Sequence, residues 1–312
     1  MAADTQNLAF VFPGQGSQSV GMMQGWGERA EVRATFSEAS DALGQDLWAL
    51  VTEGPADLLN QTINTQPAML AADVAVWRVW LAAGGVRPVL LAGHSLGEYA
   101  ALVAAGALDF SDAVKLVRFR AESMQSAVPE GVGAMAAVLG LDDEAVRAVC
   151  AEAAAGEVVE AVNLNSPGQV VIAGNKAAVE RAMVLAKEKG AKRALPLPVS
   201  VPSHSTLMLP AAEKLLAHLQ GVAISAPTIP VLHNTDVLSH SEPDAIRTAL
   251  ARQLHTPVRW VETFQALKAA GMASVIECGP GKVLAGLGKR IDDSLPMLAL
   301  VDEASLQAAL NQ

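Results

Sequence analysis

The chain is short of cysteine, of aromatic residues and of long hydrophobic runs. Its two cysteines, Cys150 and Cys278, cannot build a disulfide framework, and no C-x-x-C or His/Cys ligand spacing occurs. Aromatic residues make up 4% of the chain, with a single tyrosine, so base-stacking surfaces are not expected. Charged residues are 17% and the formal net charge is −10, a poor match to nucleic acid or an anionic membrane. The longest uncharged runs, 5–27, 194–212 and 215–235, all contain proline together with Gln, Gly, Ser or His, and none reads as a membrane span. Asp4, with no basic region before the apolar Leu8–Phe12, argues against a signal peptide. A reduced, cytoplasmic, enzyme-sized protein is the expected class.

What the chain does have is apolar substance: 51% hydrophobic residues and a mean hydropathy of +0.30 over 312 residues. At roughly 150 residues per domain this predicts two domains, or one large domain carrying an insert. Strands are predicted at Leu8–Phe12 and Pro88–Ala92, and helices at 26–43, 66–83, Leu96–Ala105 and Asp112–Val128, the last with Ser111 as N-cap. From Gly131 the texture changes to β-α-β-β-α-β. The strands are Ala134–Leu139, Val158–Leu164, Val170–Ala173 and Arg193–Leu197. The two helices open at caps Asp142 and Asn175, and a turn is expected at Asn165-Ser166-Pro167-Gly168. Beyond 200, helices and strands alternate again through strands 229–233, 274–277 and 297–301. The expected fold class is α/β: a hydrolase-like core over 1–130 and 201–312 with a mostly parallel sheet, interrupted by a ferredoxin-like α+β domain at 131–200.

Gly93-His94-Ser95-Leu96-Gly97 lies between a predicted strand and a predicted helix, the context a nucleophile elbow requires. On that reading the serine hydroxyl projects from a tight turn and the N–H of Leu96 faces an attacked carbonyl oxygen. The bland reading is a glycine-rich turn whose serine caps a helix. Any of the six histidines could serve such a serine as base. Gly14-Gln15-Gly16 also follows a strand, but position 19 is serine and the dinucleotide fingerprint fails. Gly279-Pro280-Gly281-Lys282 lacks phosphate-loop spacing. On helix 112–128, Arg120 falls in one stripe with Ala113, Val117 and Met124, while Lys115, Arg118 and Glu122 occupy another face. A guanidinium on an apolar stripe needs an internal carboxylate, a snorkelling route to solvent, or the carboxylate of a substrate.

The wider string Gly93-His94-Ser95-Leu96-Gly97-Glu98-Tyr99-Ala100-Ala101-Leu102 resembles the acyltransferase family that loads malonyl groups onto acyl carrier protein, and within it the stand-alone bacterial transacylases of fatty acid synthesis. The resemblance extends over nearly the whole chain. It includes Phe12-Pro13-Gly14-Gln15-Gly16-Ser17-Gln18, Asn163-Leu164-Asn165-Ser166-Pro167-Gly168-Gln169, Pro202-Ser203-His204 and Gly279-Pro280-Gly281-Lys282. It implies Ser95 as nucleophile, His204 as base and the backbone carbonyl of Gln253 as the group that orients His204. It implies an oxyanion hole from the N–H groups of Gln15 and Leu96, and Arg120 as partner of the malonyl carboxylate. His94, Asn163, Asn165 and Val201 match positions around the family's pocket. Leu96 agrees with malonyl preference in related polyketide domains. Ser203 replaces a phenylalanine frequent there, which leaves methylmalonyl tolerance open. The implied substrates are malonyl-CoA and acyl carrier protein, with no metal or redox cofactor, and a monomer is expected. Acyl carrier protein is typically acidic, so docking on this acidic chain calls for a local basic patch. The candidates are Lys187, Lys189, Lys192 and Arg193, with Lys289 and Arg290 beside them.

Overall fold

The computed structural model describes residues 7–129, 131–199 and 201–311. The Asp4 reading and the expected boundary positions 130 and 200 fall outside those residues. The described residues form nine strands: β1 (Leu8–Phe12), β2 (Leu90–Gly93), β3 (Gly133–Leu139), β4 (Val159–Ser166), β5 (Gln169–Asn175), β6 (Arg193–Pro196), β7 (Val231–Leu232), β8 (Ser274–Cys278) and β9 (Met297–Leu300).

The larger sheet has the order β7-β2-β1-β8-β9, and every pairing in it is parallel. β1 reads Leu-Ala-Phe-Val-Phe with all five residues buried, the continuous apolar run of a strand covered on both faces. Phe10 packs against Trp77 and Trp80 of the helix Thr62–Ala82, which is buried along most of its length. No described helix is long and apolar enough to cross a membrane.

The smaller sheet has the order β4-β5-β3-β6 and is antiparallel throughout, the ferredoxin-like arrangement. The period-2 alternation of its strands gives it two different faces. Ala136, Val138, Val170 and Ile172 face the helices Asp143–Ala153 and Lys176–Glu188. Met135, Ala137, Val171 and Asn163 face the other way and roof the cavity described below. Backbone hydrogen bonds between β4 and Val258 tie this sheet to the core: Leu164 N–H donates to Val258 at 3.0 Å, and Val258 N–H donates to Val162 at 2.8 Å.

Several local expectations are corrected. Helix Phe110–Ala127 is capped by Asp109, whose carboxylate accepts from Asp112 N–H at 3.1 Å; Ser111 lies inside the helix and donates to Glu38 instead. Asn165 and Ser166 continue β4 through a bulge, so the turn is only Pro167-Gly168. The Asn175 side chain accepts from Val158 N–H, bracing two strands and leaving the helix it precedes uncapped. Arg118 is half-buried against Gln45 and is not a freely solvated charge.

Candidate active site

The elbow forms where β2 ends. Ser95 has a φ of 53°, in the left-handed region that a side-chain-bearing residue occupies only under constraint. The flanking glycines allow it. A Cβ on Gly97 would stand 2.0 Å from the Phe12 carbonyl oxygen, and one on Gly93 would stand 2.0 Å from the Gly97 carbonyl carbon. Asn234, just beyond β7, clamps the turn: its Oδ1 accepts from Ser95 N–H at 2.7 Å and its Nδ2 donates to the Gly93 carbonyl at 2.6 Å.

His204 lies 109 residues further along the chain, yet its Nε2 is 2.8 Å from Ser95 Oγ. Its backbone is also left-handed, with φ at 66°. Helix Pro243–Gln253 ends beside it, and the last carbonyls of a helix have no partner within the helix. His204 uses two of these: Nδ1–H donates to Gln253 O at 2.6 Å, and the backbone N–H donates to Leu254 O at 2.9 Å. With Nδ1 carrying the proton, the Nε2 lone pair is left for the serine hydroxyl. Burial, and next the nearby Arg120 charge, push the His204 imidazole down to about 3; the Gln253 carbonyl opposes this only in part.

Arg120 is 2% exposed, which excludes snorkelling. Among the described residues no carboxylate reaches it. Its Nη1 donates to Gln66 Oε1 at 2.8 Å; its Nη2 donates to Gln253 Oε1 at 2.9 Å and to Ser95 Oγ at 3.2 Å. Every acceptor is neutral, and Nε is buried with no partner. A desolvated cation held in this way is able to receive an anion entering the site.

Gly14 brings the second loop against the elbow, where a Cβ would stand 2.4 Å from the His94 carbonyl oxygen. Thr62 Oγ1 donates to Gln15 Oε1 at 2.9 Å and fixes that side chain. Neither the Gln15 nor the Leu96 backbone N–H finds a protein acceptor among the described residues, and both residues line a cavity of about 290 Å³ shared with Ser95, His204 and Arg120. His94, Asn163 and Asn165 line it too, with His94 Nε2 2.8 Å from Asn165 Oδ1. Burial lowers the His94 pKa. Val201 does not line it: the residue is buried in the main core, and Val199, two positions earlier, takes the place by the cavity. Lys187, Lys189, Lys192 and Arg193 are exposed from the end of helix Lys176–Glu188 to the start of β6, none of them lines the cavity, and Lys189 pairs with Glu152 at 3.1 Å.

The structure adds Gln66, Asn234 and the Gln253 side chain to the site. Nothing local in the sequence marks Gln66 or Asn234. The resemblance implies a role for the Gln253 carbonyl alone, and the structure adds its side chain.

A serine paired with an imidazole at a strand-to-helix elbow, fronted by two unengaged N–H groups, is the equipment of enzymes that carry an acyl group on a serine oxygen. The comparisons narrow this class. Residues 9–301 match the acyl transferase domain family, and the chain belongs to it. It is 58% identical over 306 residues to the malonyl CoA-acyl carrier protein transacylase of Salmonella typhimurium, covering 98% of this chain and 99% of that one. The crystal structure of an acyl-carrier-protein S-malonyltransferase from Burkholderia pseudomallei superposes with a TM-score of 0.96 at 62% identity, covering 98% and 100% of the two chains. A malonyl-transacylase solved in complex with a type II PKS acyl-carrier protein is 55% identical, with a TM-score of 0.96 over 98% of this chain and 99% of that one.

Proposed function

We propose that this acyltransferase moves the malonyl group from malonyl-CoA to the pantetheine thiol of acyl carrier protein, through a malonyl ester on Ser95, and so supplies the extender unit for fatty acid synthesis. The observation that carries the reading is the position of Arg120, buried without a carboxylate partner and 3.2 Å from Ser95 Oγ. Malonyl carries its free carboxylate one methylene from the thioester carbon. A carboxylate received by the Arg120 guanidinium, which Gln66 and Gln253 hold in place, brings that carbon to the serine.

His204 Nε2 takes the hydroxyl proton as Ser95 Oγ attacks the thioester carbon. The Gln15 and Leu96 N–H groups receive the developing oxyanion. The carbon–sulfur bond then breaks, and the CoA sulfur leaves with the proton from His204. In the second half, His204 takes the proton of the carrier thiol, which attacks the ester and frees Ser95 by the same steps reversed. A carbonyl behind His204, in place of a carboxylate, makes a weaker base, which is sufficient for a thioester already activated by its leaving group. For the same reason no metal or redox cofactor is called for.

The carrier protein is read as docking on basic residues at the cavity rim. Gln169 lines the cavity and is hydrogen-bonded to Arg290. Its neighbour Gly168 accepts from Gly140 N–H, and Gly140 packs against the Lys192 side chain. That Arg290 touches a lining residue, with Lys192 near the adjoining turn, supports a docking patch that also takes in Arg193 and Lys289, beside them in sequence, and Lys187 and Lys189 further out. The enzyme is read as a cytoplasmic monomer. Incubation with malonyl-CoA, with and without carrier protein, tests the whole reading. Malonyl-carrier protein is the expected product, whereas release of free malonate at a rate indifferent to carrier protein identifies a thioesterase.

A further inference from the structure

Behind the elbow lies a buried acidic residue that none of these steps uses. Glu98, in the first turn of helix Gly97–Ala104, is fully buried and is not part of the cavity lining. Its Oε2 accepts from Asn234 N–H at 2.9 Å and from Gln253 Nε2 at 2.9 Å, and its Oε1 is 2.7 Å from His233 Nδ1. Gln253 Nε2 also donates to the Ser95 carbonyl at 2.9 Å. The amide nitrogen of Gln253 is therefore committed to two oxygens, and its Oε1 is turned toward Arg120.

We propose that Glu98 is a positioning residue for substrate selection: its carboxylate fixes the orientation of the Gln253 side-chain amide, which in turn holds the Arg120 guanidinium where a substrate carboxylate meets it. The opposite amide orientation sets Oε1 against the Glu98 carboxylate and the Ser95 carbonyl, and the NH₂ group against the guanidinium. All of these are like-polarity contacts, expensive where water is excluded. Glu98 also resolves the electrostatic difficulty of Arg120. It places a compensating charge one amide away, so the buried cation is balanced without a protein carboxylate occupying the face the substrate needs. Gln253 thus touches the machinery three times, through its carbonyl to His204, its Oε1 to Arg120 and its Nε2 to Ser95 and Glu98.

This inference rests on the malonyl-transfer reading, and its test separates the two. Glu98→Gln keeps the size but offers one oxygen where donors of Asn234, Gln253 and His233 converge. Loading of Ser95 from malonyl-CoA and from acetyl-CoA is followed by intact mass in wild type, Glu98→Gln, Gln253→Met and the double variant. The malonyl-over-acetyl preference is expected to fall roughly tenfold in Glu98→Gln, mainly through KM for malonyl-CoA. Gln253→Met, which keeps the carbonyl to His204, should show the same fall, and the double variant should add nothing further. A preference unchanged in Glu98→Gln, or losses that multiply in the double variant, overturns the proposal. Should Glu98→Gln fail to fold, Gln253→Met decides alone: an unchanged preference overturns it. A wild-type protein that takes no malonyl fails the functional reading itself. A wild type that loads malonyl beside variants of unchanged preference fails only the role of Glu98.

Discussion

Arg120 Nη2 stands 3.2 Å from Ser95 Oγ, although Ser95 sits in the turn after β2 and Arg120 lies on a helix 25 positions later. The same guanidinium lies over the Tyr99 ring, and its other hydrogen bonds among the described residues go to the neutral amide oxygens of Gln66 and Gln253. On the malonyl-transfer reading, a cation so close to the nucleophile makes the acyl chain's far end, and not only its thioester, part of what the site reads.

Arg120→Ala should therefore separate substrates by charge. Loading from malonyl-CoA is expected to drop about 100-fold, the scale of a desolvated charge-assisted pair, while loading from acetyl-CoA changes much less. Parallel measurement of kcat/KM for both thioesters checks this. Equal losses would make the arginine a packing residue.

The pH dependence follows from His204, which burial and then the Arg120 charge hold at about 3, below its ordinary 6.5. The folded protein keeps this base neutral where the unfolded chain protonates it. Stability from this group is thus present above 6.5 and lost as pH falls toward 3. Activity should behave otherwise: the rate of Ser95 acylation stays level down to about pH 5, with no acid limb near the ordinary histidine value. Arg120→Gln removes the neighbouring charge, so His204 rises and an acid limb moves up toward neutrality. Single-turnover acylation against pH shows both.

Much of this site could be read from the chain because it is local. Strand, glycine-flanked serine and helix follow one another within Leu90–Ala104, and the alternation of β3 already separates a core face from a cavity face. What could not be read depends on contacts between distant segments. Asn234 is 139 positions from the Ser95 N–H it accepts from, and Gln66 is 54 from Arg120. The cap at Asp109 won over Ser111 because the helix begins at Phe110, where the Asp109 carboxylate accepts from Asp112 N–H.

Charge reversal tests the docking rim. Lys192→Glu with Lys187→Glu should raise the KM for carrier protein about tenfold at low salt and leave malonyl-CoA loading unchanged. The wild-type KM should itself rise with ionic strength, and the variant's should not.

A separate prediction concerns the core. Asp73 is fully buried with neither carboxylate oxygen hydrogen-bonded among the described residues, and burial followed by the charge of Glu277 raises its pKa. Glu277 is itself pushed up to about 7 by burial, against the N–H groups of Ala285 and Leu284 that it accepts from. Both groups bind protons more tightly when folded, so their contribution is present at acid pH and lost as pH rises through the folded values, the reverse of His204. Asp73→Asn should flatten the fall in Tm between about pH 5 and pH 8. Calorimetry across that range reads the difference.

The central claim is covalent. The protein is mixed with malonyl-CoA, its intact mass is recorded, and acyl carrier protein is then added. The account predicts a single malonyl adduct on Ser95, absent in Ser95→Ala, that disappears on addition of carrier protein as an equal amount of malonyl-carrier protein forms. A protein that transfers malonyl without any adduct, or an adduct that carrier protein does not discharge, contradicts it.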